Sequence, residues 1–469
     1  MLIVAWVVTF LLIVGIGMYA GTKVKTSEDW NGSDHSMGAF SVGCMLAAWQ
    51  IGGMSIVGAA QNGYTMGIAG SWYSIAGSIY FLVMAVIAGP LRRHIKTASL
   101  PDFLLDRYGV GVARLQSYMW IVYGIVYIPI QLMTISSIIR IVFPSTSALA
   151  AMLLGVTIAA IYTGFAGMKG SASIARIVCI GTYILLAFFV GMNLKQMGGY
   201  QCLVAQLPEG YGSMSAMPTQ QIMAWIVASI LSYLVLQSAL QPMLSAKSEK
   251  AARNGCLIGY ALSAPICILT AIIGMMAKVQ TDSLGDGSTA FAWAVRQMSH
   301  PLFAGILFAM ITMIIAATLA TMMMATGTII ANVYGTQINR NATDAKKLKI
   351  SRIGTIVVAY VSLVFGQLIP SAQITNMFLT LTYAVTTPFS YSVIVGLFWK
   401  RVDNKASFYS AIVGALVAVV WIAVGLNSTL NLVYPTLISS YAVGLFFTLL
   451  NKENGKGEIT RETNHIINN

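Results

Sequence analysis

Residues 47–64, AAWQIGGMSIVGAAQNGY, decide how this chain folds. They lie inside an apolar segment long enough to cross a bilayer, yet Gly52 and Gly53 stand side by side within it. The same segment carries amide side chains at Gln50 and Gln61. A packing face of small residues would explain the glycines but not the amides. Unwound backbone is tolerated at mid-membrane only where it lines a cavity or is buried in protein, so the stretch predicts a helix that opens at a polar site.

The composition is that of a polytopic membrane protein. Hydrophobic residues make up 57% of the 469 residues and charged residues only 9%, whereas about a quarter of the residues in a globular protein are charged. A bilayer core takes about 20 apolar residues of helix to cross. The apolar segments predict an all-α fold with about 13 transmembrane helices. The predicted spans cover roughly residues 2–21, 38–62, 68–91, 112–142, 146–164, 174–197, 220–243, 254–278, 301–332, 353–369, 372–398, 407–424 and 431–450. One transmembrane domain should cover residues 1–450, followed by a disordered cytoplasmic tail over residues 451–469.

The distribution of charge predicts the orientation of the chain. No basic residue precedes the first apolar segment, residues 2–21, and lysines follow it, so we expect an uncleaved helix with the N-terminus outside and the C-terminus in the cytoplasm. With alternating sides, 23 of the 27 lysines and arginines fall inside, and the other four are Arg140, Lys195, Lys278 and Arg296. The net charge of +13 therefore reflects orientation in a plasma or inner membrane and contact with anionic lipid, and it does not indicate nucleic-acid binding.

A second interrupted segment suggests internal symmetry. Residues 220–243 contain polar and small residues, as residues 38–62 do, and they lie five predicted spans further along the chain. Corresponding interrupted segments in two halves are typical of inverted-repeat transporters, whose binding site lies at the helix breaks.

Several stretches resemble the sodium/solute symporter family over nearly the whole chain. The clearest is GLFWKRVDNKASFYSAIVGALVAVVW at 396–421, with further likenesses in YTGFAGMKGSAS at 162–173, SLPDFLLDRYG at 99–109 and LSAKS at 244–248. The resemblance implies a LeuT-like five-plus-five fold with one extra span before the core and two after it. The two core repeats would cover about residues 38–197 and 220–398.

The resemblance also implies a sodium site between core spans one and eight, which this chain keeps only in part. Members of the family usually bind the ion through three carbonyls and two neighbouring hydroxyls. The matching carbonyls belong to Ala48, Ile51 and Met313, whereas the hydroxyl positions fall on Ala316 and Ala317, with Thr318 one residue further on. The site is therefore interpreted as degraded, and whether Na⁺ is used stays open.

Protons are not an obvious replacement for sodium. All 14 acidic residues and all four histidines fall in predicted loops or at the ends of spans. Ionisable groups within the membrane are the usual mark of proton relays. The sequence therefore favours weak coupling or none.

The resemblance implies a solute pocket between core spans one, two, three, six and ten. Its candidates carry amides, hydroxyls and aromatic rings and no formal charge, which suits a small neutral or zwitterionic solute. They are Gln50, Ser55, Gln61, Tyr73, Tyr123, Tyr127, Ser232, Tyr233, Gln237, Gln241, Tyr383 and Thr387.

The functional prediction is a secondary transporter that works by alternating access. The alternatives are a transport-inactive sensor or scaffold on the same fold and a conventional Na⁺-coupled symporter with a rebuilt ion site. An enzyme is not expected, because no acid/base pair, metal cluster or nucleophile arrangement falls within the spans. No cofactor is predicted, the expected partners are a small solute and membrane lipid, and homo-oligomerisation is left open.

Overall fold

A computed structural model describes residues 1–22, 30, 35–94, 100–285, 287–339, 341–367, 382, 384–426 and 430–451. The predicted tail lies outside these residues except for Asn451, and so does the first part of the last core span. Within the described residues the fold is all helical, and the single β-bridge joins Met37 to Ala246.

The described helices follow one another along the chain with short connections. They are α1 (Leu2–Gly21), α2 (Ala39–Gln50), α3 (Ala59–Met66), α4 (Trp72–His94), α5 (Leu100–Tyr108), α6 (Val110–Val142), α7 (Ala148–Gln196), α8 (Tyr200–Ala205), α9 (Thr219–Tyr233), α10 (Gln237–Leu244), α11 (Glu249–Gln280), α12 (Ala290–Gln297), α13 (Pro301–Val333), α14 (Asp344–Gly366), α15 (Ala384–Phe398), α16 (Asn404–Ala423) and α17 (Val433–Leu450).

The number of membrane-crossing helices agrees with a polytopic protein. In the part of the chain that the structure describes, nine helices are long and apolar enough to cross a bilayer, and α9 with α10 makes a tenth if the bent pair is one span. Shorter apolar helices at Ala39–Gln50, Ala148–Ala160 and Ala384–Phe398 coincide with further predicted spans. The count of about 13 and the repeat organisation stay predictions.

The first predicted helix break is confirmed. Helix α2 ends at Gln50, and Ile51 has φ −83° and ψ 45°, outside helical geometry. A π-helical turn over Met54–Gly58 leads into α3. The adjacent glycines allow close approach, because a Cβ on Gly53 would lie 2.3 Å from the methyl carbon of Thr134 on α6.

The second predicted break is confirmed as well. Helix α9 ends at Tyr233 and α10 begins at Gln237. The axes of the two helices differ by 61° across residues 234–236. Both interrupted segments in the sequence therefore contain a helix break.

A third break lies within α7, at a glycine between two predicted spans. The predicted spans 146–164 and 174–197 both fall within α7, where Gly167 has φ 54° and ψ −161°. Only glycine adopts this conformation at little cost. The residue turns the chain between two arms, of which Gly170–Gln196 is long enough to cross a membrane.

Helix α13 lies at the centre of the molecule. It is buried over most of its length and contacts α1, α2, α6, α7 and α14. Helix α2 packs against α13 and α11. The first helix break therefore faces α13, which sets the position of the site described next.

Candidate functional site

A narrow cavity lies at the first helix break. Its volume open to water-sized molecules is about 30 Å³, enough for only a few waters. It is lined by Trp49, Gln50, Gly52, Ser55, Tyr73, Tyr123, Tyr127, Gln131, Tyr233, Leu236 and Met322. No lining residue carries a formal charge.

Side-chain hydroxyls pair the carbonyls that the break releases. The Ser55 hydroxyl donates to the Gln50 carbonyl at 2.6 Å. The Thr270 hydroxyl on α11 lies 3.1 Å from the Ser55 carbonyl oxygen and 2.9 Å from the Ile266 carbonyl oxygen of its own helix, so it can donate to either. The protein thus satisfies by itself part of the backbone that would otherwise be unpaired in a medium without water.

The Gln50 side chain is set by α4. A Cβ on Gly77 would lie 2.2 Å from Gln50 Nε2, so the amide lies directly on this glycine. Gln50 is the last residue of α2, and its side chain is buried. Helix α4 therefore holds this amide at the wall of the cavity.

Helix α6 contributes a hydrogen-bonded polar face. The Gly53 N–H donates to Gln131 Oε1 at 3.3 Å, and Gln131 Nε2 donates to the Tyr127 hydroxyl at 2.7 Å. The Tyr123 hydroxyl lies 3.2 Å from Thr382 Oγ1, with either group able to donate. Tyr123 and Tyr127 stack with ring centroids 5.5 Å apart.

Aromatic rings close the opposite side. Trp49 and Tyr233 meet edge to face with centroids 4.9 Å apart, and Tyr73 meets Trp225 in the same way at 5.6 Å. Such rings offer apolar faces and a few polar groups, which is the usual composition of a small-molecule site.

The structure brings together half of the predicted solute residues. Gln50, Ser55, Tyr73, Tyr123, Tyr127 and Tyr233 line the cavity. The remaining described candidates lie away from it, and Tyr383 lies outside the described residues. Those away from the cavity are Gln61, Ser232, Gln237, Gln241 and Thr387.

The candidates away from the cavity make contacts elsewhere in the fold. The Gln237 side chain accepts a hydrogen bond from the Leu100 N–H at 2.8 Å. The Ser232 hydroxyl lies 3.5 Å from that of Thr387. Gln241 is fully buried in α10, and Gln61 is half-buried in α3. In this conformation these contacts direct the side chains to other elements.

The sequence did not single out five cavity residues as solute ligands. Gln131 follows Tyr127 by one helical turn, a spacing that could have identified it. Trp49 and Gly52 flank Gln50, already a candidate. Leu236 and Met322 are apolar and gave no signal. They line the cavity because the second break and α13 face the first break.

The predicted ion-binding positions form a hydroxyl–carbonyl contact. Thr318 Oγ1 lies 2.8 Å from the Ala48 carbonyl oxygen and 3.1 Å from the Ile314 carbonyl oxygen of its own helix. The side chains of Ala316 and Ala317 are buried and end in methyl groups. No cluster of three or more His, Cys, Asp or Glu suited to a metal occurs among the residues that the structure describes.

Backbone contacts hold the two ends of the broken spans. On one side, the Met37 N–H donates to the Ser245 carbonyl at 3.2 Å, and the Lys247 N–H donates to the Met37 carbonyl at 2.8 Å. On the other side, the Ile68 N–H donates to the Tyr211 carbonyl at 2.8 Å. The cavity therefore lies between these two sets of contacts.

Comparison with known proteins places the chain among membrane transporters. The Sodium:solute symporter family matches residues 32–414. A "Sodium/glucose cotransporter" of Vibrio parahaemolyticus is 21% identical over 462 residues, covering 89% of this chain and 83% of the relative.

Solved structures show the same fold. A Na⁺-coupled sialic acid symporter in a substrate-bound outward-open state has a TM-score of 0.74 at 15% identity, covering 96% of this chain and 98% of that one. A nucleobase-cation-symport-1 family transporter in a closed conformation has a TM-score of 0.64 at 14% identity, covering 92% and 96%. Both have a LeuT-like fold. The family consists of transporters and not enzymes, and a match over most of the chain, together with the helical fold, shows that this protein belongs to the sodium:solute symporter family.

Proposed function

We propose that this protein moves a small neutral or zwitterionic organic solute by alternating access, with the cavity at the first helix break as its binding site and without obligatory sodium coupling. The cavity lining supports the solute class, because it offers amides, hydroxyls and aromatic faces and no charged side chain. A strongly anionic solute would have no cation to pair with there. The proposed topology is the five-plus-five repeat with about 13 spans and the N-terminus outside.

The observation that carries the coupling part of the proposal is the contact of Thr318 with Ala48. A sodium ion is hard and needs several oxygen ligands at once. Here the Ala48 carbonyl already accepts a hydrogen bond from a hydroxyl at 2.8 Å. The methyl groups of Ala316 and Ala317 supply no oxygen. The donor set does not fit the five-oxygen site that the resemblance implies.

The substrates in the names of the relatives indicate which solute classes would suit the lining of this cavity. The Vibrio relative is called a sodium/glucose cotransporter, and a neutral sugar suits an uncharged cavity. The sialic acid symporter has an anionic substrate, which the lining of this cavity disfavours. D-Glucose and L-alanine therefore represent the neutral and zwitterionic classes in the test.

The test combines binding and transport by the purified protein. Thermal unfolding is followed with D-glucose, L-alanine and further members of each class, in matched sodium, potassium and choline chloride. Counterflow of the stabilising solute is then measured in proteoliposomes. We expect equal stabilisation in all three salts and counterflow without sodium.

Three results would contradict the proposal in different ways. Stabilisation only in sodium would favour a conventional symporter with a rebuilt ion site. Binding without counterflow would favour a sensor. Failure of both solute classes to bind, with binding of anionic compounds, would remove the proposed solute class.

A further inference from the structure

The polar face of α6 continues beyond the cavity. Gln116, Trp120, Tyr123, Tyr127 and Gln131 follow one another at intervals of four, three, four and four residues. At about 100° per residue they all lie within about 40° of the direction of Tyr127. All five side chains are buried, with exposures from 0% to 6%. We call these five residues the α6 stripe.

The stripe extends toward the end of α6 that the charge distribution assigns to the cytoplasm. Gln116 lies seven residues before Tyr123, about 10 Å along the helix axis. Arg107 on α5 and Arg114 on α6 lie at this same end. The stripe thus connects the cavity wall with the proposed inner face of the protein.

The two ends of the stripe differ in hydrogen bonding. In the cavity, both ends of the Gln131 amide are paired, with the Gly53 N–H and the Tyr127 hydroxyl. By contrast, Gln116 Oε1 and Nε2 and Trp120 Nε1 have no hydrogen-bond partner among the residues that the structure describes. The two side chains are only 0% and 2% exposed.

Such unpaired groups need an explanation. An amide buried without a partner destabilises the fold, because it gives up its hydrogen bonds to water and gains none in return, and native structures contain few such groups. Leucine at position 116 would fill similar space without this cost. The groups would gain partners in a second conformation in which the inner contacts at Met37 open and admit water or solute.

We propose that Gln116 and Trp120 form an inner solute site on the cytoplasmic side of the cavity. This inference rests on the proposed transport function. A neutral polar solute leaving the cavity would accept from the Trp120 indole N–H and exchange hydrogen bonds with the Gln116 amide. The site forms when the inner ends of α2 and α10 separate, and it closes with its polar groups unpaired when they meet.

Cysteine labelling tests the site without knowledge of the solute. Gln116→Cys and Trp120→Cys are made in a Cys202→Ser background, because Cys202 is the exposed cysteine among the five. Ser117→Cys is the matched control, since Ser117 is equally buried but lies about 80° around the helix from the direction of Tyr127. The probe is 2-(trimethylammonium)ethyl methanethiosulfonate, whose permanent charge keeps it from crossing the bilayer, applied to either side of oriented vesicles.

We expect both stripe cysteines to react from the cytoplasmic side roughly tenfold faster than Ser117→Cys, because only the stripe becomes exposed on opening. The Cys202→Ser protein, labelled in parallel, corrects for reaction of the four remaining native cysteines. The proposal of an inner site is wrong if neither stripe cysteine reacts faster than Ser117→Cys, or if both react only from the outer side. The second position guards against a single variant that fails to fold.

A transport experiment separates the site from the proposed function. Gln116→Leu and Trp120→Phe should slow counterflow of D-glucose or L-alanine about tenfold, whereas Ser117→Ala should not. Counterflow at the rate of the unchanged protein in both stripe variants would contradict the inner site. Absence of counterflow in the unchanged protein would defeat the transport proposal, and the labelling comparison would still decide whether this region opens.

Discussion

At the scale of single residues, one hydroxyl carries the proposed lack of obligatory sodium coupling. The contact between Thr318 and Ala48 joins α2 to α13 at the position where the family resemblance implies an ion site. A hydroxyl satisfies a single carbonyl, whereas an ion gathers several. The contact therefore holds two elements together without requiring a ligand from solution.

Replacing Thr318 by valine tests this contact. The substitution removes the hydroxyl at nearly constant volume and leaves the Ala48 carbonyl buried without its partner. We expect a loss of about 1–3 kcal/mol in the free energy of unfolding, measured in detergent in the presence and absence of sodium. Thr318→Ser should retain most of the stability. A valine variant as stable as the parent would show that the hydrogen bond contributes little.

Restoring the two missing hydroxyls tests the other half of the interpretation. Ala316→Ser with Ala317→Ser should create a response to sodium that the parent lacks. At a sodium concentration ten times the Kd, binding would add about 1.4 kcal/mol to the stability. Ala309→Ser, on the same buried helix two turns away, is the control. A sodium response in the parent of equal size would contradict the degraded site.

At the scale of elements, the broken spans could be predicted and their contacts could not. Adjacent glycines and amides within an apolar segment predicted a break within residues 38–62, and the family resemblance implied Tyr123 and Tyr127 as solute candidates. Gln237 looked equally suitable, but its amide is used by the Leu100 N–H, 137 residues away in the chain. Nothing local in the sequence reports such a partner. The same holds for Thr318 and Ala48, which are 270 residues apart.

The glycine beneath Gln50 provides a test at this scale. Alanine at position 77 would place a Cβ 2.2 Å from Gln50 Nε2 and push the amide into the narrow cavity. We expect solute affinity to fall about tenfold, equivalent to about 1.4 kcal/mol, with little change in unfolding temperature. Gly111→Ala is the control, because a Cβ there meets nothing within 4 Å. Unchanged affinity in Gly77→Ala would argue against Gln50 as a solute ligand.

At the scale of the whole molecule, the helical membrane fold and the family were predictable because they depend on composition and on long stretches of sequence. The size of the cavity was not, because it depends on how α2, α6, α9 and α13 meet. The proposed orientation can be tested with two exposed positions, Ser145 between α6 and α7 and Asn404 at the start of α16.

In a Cys202→Ser background, an impermeant thiol reagent should label Ser145→Cys in intact cells and Asn404→Cys only after permeabilisation. The positive-inside distribution of lysine and arginine is the physical reason. Cells carrying only Cys202→Ser give the baseline. Labelling of Asn404→Cys in intact cells would show that the orientation is the reverse of the proposed one, and Gln116 would then lie toward the outer side.

The break between α9 and α10 would also amplify a rotation at residues 234–236. Helix α10 has eight residues and is therefore about 12 Å long. If it swings by about 20° on residues 234–236, its far end moves by about 4 Å, more than the length of a hydrogen bond. The backbone pairing of Met37 with Ser245 and Lys247 lies at that far end. A modest rotation at residues 234–236 would thus be enough to break this pairing, which the proposed orientation places at the cytoplasmic end, with α10 acting as a lever.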